Sequence, residues 1–328
     1  MLVFVGDPGQ LPPVCPHNKT RDSTDEEQTN FCTACHISSS PHWRSAQHYA
    51  LRTSHRQAND HHYLHFLQII RCRRPTEKEL NDALASRLST PYDLQTKLGT
   101  NTPCIVLCTH RSDVRAYNTA IFQFLYNRPT LPNQPAVIVY HVQPRTNATQ
   151  ADCQSNATLR DWVQGLTDGF HDLPHVAIGA RVILNANIDV NRGAVNGALG
   201  TVLGVEHCPR TPAGLKTIDI SLDGSNNIIR VRRMHYSKPL TIDGKRFTRA
   251  TFPLSLAYAI TGHRCQGATY TGHVFLHVRS AFCPGLLYVM LSRATTSANV
   301  HLLTALEPDM FTPMPSAIIN PSPNMLNH

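Results

Sequence analysis

The chain has no glycine-rich phosphate loop. Nowhere in its 328 residues does G-x-x-x-x-G-K-[ST] occur, so it encodes no P-loop nest of backbone amides, no phosphate lysine and no Ser/Thr placed on Mg²⁺. Long apolar runs are also missing. The first, Met1 to Val5, is too short for a secretory or transmembrane segment. The ten cysteines follow no regular disulfide spacing, which points to a reducing interior such as nucleus, cytosol or organelle matrix. The N-x-T sequons at Asn18, Asn147 and Asn156 are then chance matches. Acidic residues are the scarcer charge: 22 Asp and Glu stand against 30 Lys and Arg, a formal net charge of +8. That excess favours a polyanionic partner, nucleic acid first. The length and the 41% hydrophobic content allow two domains, each with its own core.

What is present is organised around Ala257 to Arg293. It reads A-Y-A-I-T-G-H-R-C-Q-G-A-T-Y, then an apolar strand from Val274 to Val278, then L-Y-V-M-L-S-R. The lead-in has helical spacing, with Leu254, Ala257, Tyr258 and Ile260 on a compact apolar face behind Pro253. The turn that follows collects Thr261, His263, Arg264, Gln266 and Gly267, residues that bind anions, donate hydrogen bonds or let a backbone approach closely. Gly285 to Leu291 is short and apolar and delivers Arg293 at its end. A rigid element aiming one planar guanidinium at a fixed point suits phosphoryl transfer, whose transition state spreads negative charge over phosphate oxygens. The plainer alternative makes Arg293 a helix cap and the turn an ordinary polar loop. It fits each residue singly but not their combined order and spacing.

Taken in order, Leu2 to Val5 reads as a buried strand running into G-D-P-G-Q-L-P-P-V, Gly6 to Val14. Asp7 and Gln10 would then lie at the carboxyl edge of an α/β sheet, where ligands bind. A glutamine amide there can donate to a phosphate oxygen and accept from an attacking water; the alternative is a proline-rich turn with a solvated glutamine. Pro16 to Pro41 is polar and reads as an irregular loop. Its C-T-A-C-H (Cys32, Cys35, His36) has metal-ligand spacing, and Cys15 or His17 could complete a zinc site; the alternative is two free thiols. Trp43, Tyr49 and Leu51 precede T-S-H-R-Q-A. Helices are expected over Tyr63 to Ile70 and over Glu77 to Leu88, the second with Leu80, Leu84 and Leu88 on one face.

Cys104 to Cys108 is a continuous apolar run, as in a parallel strand buried on both faces. It delivers Thr109, His110 and Arg111 to a helix ending at Leu125. That is a ready phosphate site, or Thr109 is a plain N-cap. Asn127 to His171 reads as an irregular insertion. Val176 to Asn187 contains the strand G-A-R-V-I-L-N-A-N, and Asn196-Gly197 marks a turn. From Leu199 to Phe252 the period becomes two: Ile218, Ile220 and Leu222 alternate, D-G-S-N-N turns the chain, and Ile229 and Val231 alternate back. Asp243-Gly244 signals another hairpin. Val300 to Leu303 is a last edge strand, and the proline-rich stretch Glu307 to His328 reads as a disordered tail.

Three of these stretches resemble motifs III, V and VI of the PIF-type, superfamily-one, 5'-to-3' DNA helicases, Helitron transposon helicases included. The family patterns are G-D-x-x-Q-L-P-P-V, T-x-H-K-x-Q-G and Y-V-A-L-S-R. This chain departs at Arg264 (usually lysine), Gly262 (commonly β-branched) and Met290 (alanine). The resemblance runs from Leu2 to Leu303, broken at 16–41 and 127–171. It implies an α/β fold: a RecA-like parallel-sheet domain over 51–303 with a small β-barrel inserted at about 199–252, whose Arg230, Arg232 and Arg233 form a basic edge. Residues 1–50 would be the remnant of a first RecA-like domain and 304–328 a disordered tail.

The resemblance further implies ATP and Mg²⁺ as cofactors, the Mg²⁺ held through the first-domain half. Gln10, Arg56 and Arg293 would be catalytic, and Asp7, Gln266 and Gly267 would meet the nucleotide. Thr109, Asn118, Thr261, His263 and Arg264 would hold single-stranded DNA or DNA junctions. A monomer in the nucleus or mitochondrion with no membrane partner is implied too, with zinc at Cys32 and Cys35 as a side possibility. In the family the phosphate loop and an acidic metal-binding pair lie upstream of motif III. The chain therefore resembles the C-terminal half of the motor, from a truncated gene model or a decayed transposon copy. Two activities stay open: the motor half of an ATP-dependent helicase, or a catalytically inactive nucleic-acid-binding remnant.

Overall fold

A computed structural model describes residues 40–47, 54–100, 102–127, 137–142, 144–163, 173–208, 211–225, 227–235 and 239–314, together with 3, 6, 7, 9–11 and 49. The chain divides into two compact units, Met1–Val114 with Ile260–His328, and Arg115–Ala259. The excursion forming the second unit is much longer than the expected insertion at 199–252.

In chain order the elements begin with helices α1 (Pro41–Ser45), α2 (His61–Cys72), α3 (Glu77–Leu84) and α4 (Pro91–Leu98), strand β1 (Cys104–Cys108) and helix α5 (Arg111–Tyr126). Next come β2 (Val139–His141), β3 (Arg145–Thr146), α6 (Gln150–Ser155), α7 (Ala157–Val163), β4 (His175–Ala177), β5 (Arg181–Leu184), β6 (Leu199–Cys208), β7 (Thr211–Leu222) and β8 (Ile228–Arg232). The remainder is β9 (Met234–His235), β10 (Leu240–Ile242), β11 (Lys245–Phe247), β12 (Arg249–Thr251), β13 (Leu254–Leu256), β14 (Ala259–Thr261), β15 (His273–His277), α8 (Leu286–Leu291) and β16 (Val300–Leu302).

The first unit is built on a four-stranded sheet of order β14-β1-β15-β16, with β1 and β15 parallel and β15 and β16 parallel. The expected C-I-V-L-C strand is found there, and Val106, Leu107, Val274, Phe275 and Leu276 are fully buried. Burial on both faces explains why the run has no alternation. Helix α2 forms where Tyr63, Phe66, Leu67 and Ile70 recur at helical spacing, all buried, and the Asp60 carboxylate accepts from Tyr63 N at 2.9 Å to start it. Helix α4 went unread in the sequence despite a reciprocal capping box between Thr90 and Asp93 and a proline in its first turn.

Several expectations are corrected. The lead-in to the central turn is not helical: β13 and β14 occupy it, and Ser255, Leu256 and Ala259 are buried along with Leu254, Ala257, Tyr258 and Ile260. Continuous burial belongs to a strand covered on both faces, and a short apolar run does not distinguish the two. The helix expected to reach Leu88 ends at Leu84 and tightens into a 3₁₀ turn over Ala85–Arg87, leaving Leu88 64% exposed. The insertion expected to be irregular carries α6 and α7, each opened by a side-chain cap from Thr149 or Asn156. At the other end of the chain, Phe311 and Met314 are buried and Phe311 meets Phe66 edge-on, so the region expected as a tail packs at least to residue 314. Of the expected strand at Leu2 to Val5, Leu2, Phe4 and Val5 lie outside the described residues, and Val3 is exposed and not in a strand. The cysteine loop with Cys15, His17, Cys32, Cys35 and His36, residue Leu51 and residues 315–328 lie outside the described residues.

The second unit holds an antiparallel sheet of order β13-β5-β6-β7-β8 and smaller sheets β3-β12-β9, β10-β11 and β2-β4. Period-two patterning is borne out at Ile218, Ile220, Ile229 and Val231, all buried. Asp243 and Gly244 both take left-handed backbone (φ 48° and 76°), the pairing that a two-residue hairpin between β10 and β11 needs. Leu159, Trp162 and Phe247 make a satellite core. The basic edge on β8 is partly neutralised within the sheet, since Arg230 is paired with Asp219 at 2.9 Å. Arg233 lies over the Phe252 ring.

Candidate functional site

The first unit gathers the anion-binding candidates from three segments distant in sequence. Helix α8 follows Gly285, whose φ of 77° turns the chain sharply before the apolar run. A side chain there is excluded: an added Cβ would lie 2.9 Å from the Gly9 carbonyl oxygen, so the loop carrying Gln10 rests directly on the start of α8. Helix α8 buries Leu286, Leu287, Val289, Met290 and Leu291, and Arg293 follows it at 1% exposure.

The Arg293 guanidinium is caged by its own neighbourhood. Its Nε donates to Val289 O at 2.8 Å, Nη1 to Ala268 O at 3.1 Å and Nη2 to Ser292 Oγ at 2.8 Å. Arg56 approaches the same segment, its Nη1 donating to Ser292 O at 3.0 Å and its Nε to Thr269 Oγ1 at 2.9 Å. Among the described residues no carboxylate lies within ion-pair reach of either arginine. Burial, and then the charge of Arg56, push the Arg293 pKa below the usual guanidinium value. Two like charges held together by carbonyls and hydroxyls form a site that an anion would relieve. Gln10 and Gln266 face each other nearby in the chain's fold, Gln266 Nε2 to Gln10 Oε1 at 3.4 Å. Gly267 closes the turn with a φ of 86°.

Asp7 anchors the loop. Its Oδ1 accepts from Gly9 N at 2.9 Å and from Arg71 Nε and Nη2 at 3.0 and 2.8 Å, and its Oδ2 accepts from the Tyr288 hydroxyl at 2.8 Å. Through these bonds it fastens the loop to α2 and α8. Burial alone would raise its pKa, but Arg71, Gly9 and Tyr288 outweigh that and hold it below the usual carboxylate range.

Sequence reasoning missed the supports of this site. Gln57 is buried and donates to Ser292 O and Ala294 O at 3.3 and 2.9 Å, and the Tyr63 hydroxyl donates to Leu291 O at 2.8 Å. The only signal was the position of Gln57 beside Arg56 and of Tyr63 on the apolar face of α2. Gly262 and Met290, the two departures that stood apart in sequence, also meet here. A Cβ on Gly262 would fall 2.9 Å from Met290 Cγ and 2.6 Å from Leu286 Cδ1, so the methionine fills the space a larger residue at 262 would take.

The nucleic-acid candidates divide. Thr261, His263 and Arg264 share the turn after β14, where Thr261 O accepts from Arg264 N and Cys265 N at 3.0 and 3.1 Å. His263 is exposed yet crowded, and burial followed by the charge of Arg111 lowers its pKa; the same two causes lower that of Arg264. Thr109 is buried and does not cap α5, since its Oγ1 accepts from Arg279 N at 3.2 Å. Asn118 belongs to the other unit, is buried, and binds backbone: Nδ2 donates to Ala259 O, and Oδ1 accepts from Tyr258 N and Ala259 N, each at 2.9 Å. It pins the chain ahead of β14.

No family model matches the chain. Over 303 residues, 92% of its length, it is 29% identical to the ATP-dependent DNA helicase PIF1 of Danio rerio, and it is 26% identical over 310 residues to that of Homo sapiens. Its similarity falls on their C-terminal portion, and it spans about 40% of the length of each. A crystal structure of Bacteroides Pif1 bound to ssDNA matches with a TM-score of 0.52 at 25% identity, covering 79% of this chain and 52% of that one. The chain is similar to the PIF1-type DNA helicases over most of its length. Pif1 from Candida albicans, with a TM-score of 0.58 at 21% identity over 82% of this chain and 58% of that one, agrees in fold. The solved Pif1 helicases are RecA-like, and the sheet of the first unit, with β1, β15 and β16 parallel, has the same α/β character.

Proposed function

We propose that this chain is the second-domain portion of an ATP-driven 5'-to-3' DNA helicase motor, supplying the anion-stabilising half of the nucleotide site and part of the single-strand track. The observation that carries it is the caged pair Arg56 and Arg293, two guanidiniums oriented by backbone carbonyls and left without a carboxylate among the described residues. The residues fit the phosphate end of a nucleotide. Bound ATP would supply the phosphoanhydride whose cleavage drives the motor. Arg293 and Arg56 would meet the charge that spreads over the terminal phosphate oxygens, already oriented and so with little reorganisation. Gln10 and Gln266 would hydrogen-bond at the same place, Gln10 orienting the water. No group of three metal-donor side chains occurs among the described residues, and Mg²⁺ would be held through a first-domain half.

Thr261, His263 and Arg264 would contact DNA, in keeping with the ssDNA bound by the Bacteroides relative. The turn they occupy continues into Gln266 and Gly267, so nucleotide and strand residues share one short rigid segment, which suits coupling of hydrolysis to movement. No helix among the described residues is long and apolar enough to cross a membrane. The test joins the chain to a first RecA-like domain carrying a phosphate loop and measures ATP turnover with and without single-stranded DNA. The joined protein should show DNA-stimulated hydrolysis that Arg56→Ala or Arg293→Ala removes, while the 328 residues alone turn over negligibly. Hydrolysis indifferent to both arginines would overturn the proposal and favour a binding remnant.

A further inference from the structure

We propose that Phe282, between His263 and His110, makes a stacking step for an unpaired nucleobase, a subsite separate from the backbone contacts; it rests on the nucleic-acid reading above. Phe282 sits in the R-S-A-F-C-P-G segment between β15 and α8, which no motif accounted for. Its ring lies 5.9 Å from that of His263 at an interplanar angle of 13°, a stacked pair, and 5.4 Å from His110 at 53°. The row is graded in burial. His110 is buried and fixed by Ser280, its Nε2 2.8 Å from Ser280 Oγ; Phe282 is half-buried; His263 is exposed. Cys283, next in sequence, is buried and anchors the segment. Three rings so arranged present a flat, supported surface at the outer end, and rings held this way lose little freedom when another is laid on them.

The surroundings select the ligand. Arg111 acts electrostatically on both His263 and Arg264, so cationic groups converge beside the ring row, as a phosphodiester strand requires. The lowered pKa of His263 keeps its ring neutral near neutral pH, which suits stacking rather than phosphate pairing. Every base has a π-face, so such a step reads the presence of a base without reading its identity. Phosphate and base contributions are then carried by different side chains and are separable by experiment.

The test is fluorescence anisotropy with two labelled strands of equal length, oligo-dT and its abasic counterpart, at low and moderate salt. Wild type should bind oligo-dT about tenfold more tightly than the abasic strand, the size of one stacked base. Phe282→Leu, which keeps apolar volume, should abolish that preference while leaving abasic affinity and the salt slope unchanged. The exposed His263→Ala should also remove the preference for oligo-dT, with little effect on folding. Arg264→Ala should weaken both strands alike and reduce the salt slope by about one. Preference retained in both ring variants, equal binding of the two strands by wild type, or equal loss of both strands in Phe282→Leu would each overturn the stacking step while leaving the DNA reading standing. Failure of wild type to bind either strand at low salt would overturn the nucleic-acid reading itself.

Discussion

Replacing Arg293 with methionine separates a structural brace from a poised charge. The guanidinium makes three hydrogen bonds, and bonds to charged groups contribute about 1.5–3 kcal/mol each. A pure brace would therefore be worth about 5 kcal/mol or more. Two effects oppose that. The side chain is 1% exposed, and without an ion pair its lost hydration, an effective several kcal/mol, is not recovered. Arg56 adds like-charge repulsion, which the substitution removes. After substitution Val289 O still accepts from Ser292 Oγ at 2.9 Å. Ala268 O is the acceptor left wanting, at about 1–3 kcal/mol. Methionine keeps an apolar stem of similar reach and adapts to irregular space. The opposing terms nearly cancel, so urea unfolding of Arg293→Met should lie within about 1 kcal/mol of wild type. In the protein joined to a phosphate-loop domain, turnover at saturating DNA should fall at least about a thousandfold with DNA affinity unchanged. Arg293→Lys should rescue poorly, because an ammonium cannot reproduce the planar fork. A stability loss of about 3 kcal/mol or more together with retained turnover would refute the reasoning and make Arg293 a brace.

Thr261→Ala should show the opposite balance in the same paired assay, DNA affinity falling before turnover does. Asp7→Asn should lower stability near neutral pH, by about 1–2 kcal/mol for a part-buried, multiply bonded carboxylate. Because folding lowers the Asp7 pKa, its contribution is full above the usual carboxylate range, about pH 4, and is lost as pH falls through the folded value. The gap between wild type and Asp7→Asn in denaturant titrations should thus close in acid; a gap that widens there would contradict the clamp. Gly262→Val should destabilise by about 1–3 kcal/mol through overpacking and Met290→Ala by about 2–5 kcal/mol through a cavity. The double variant should recover part of the sum, and strict additivity would deny that the two positions share space.

Legibility in the sequence followed the kind of information each feature needs. The strand at Cys104–Cys108, helix α2 and the alternation in β7 and β8 were readable because burial on two faces, one stripe or one face each leaves its own period. The run at 254–260 was misread because seven consecutive buried residues satisfy helical spacing by default. Gln10, Arg56, Gln266 and Arg293, far apart in the sequence, fall within one unit of the fold. What stayed hidden was how polar groups spend their bonds. Nothing local shows that Asp7 meets Arg71, 64 residues on, or that Asn118 reaches back to the backbone at 258 and 259, 140 residues on. Those are consequences of packing, and only the fold reveals them.

The arginines of the first unit show why such bookkeeping of partners matters for function. Arg71 is paired with Asp7, Arg73 with Glu79 and Arg279 with Asp113, and each ion pair ties one segment to another. Arg74 donates to Phe311 O and holds the C-terminal stretch. Arg56 and Arg293 differ from the three ion-paired arginines in having carbonyls and hydroxyls as partners and each other as electrostatic neighbours. A carboxylate in that cage would orient the guanidinium equally well but would cancel the charge a phosphate must find, and the ligand would have to displace it. Carbonyls fix direction and leave net charge in place. On the proposed function, the strain of two uncompensated cations would be released where an anion binds, which would make the site both rigid and selective for charge.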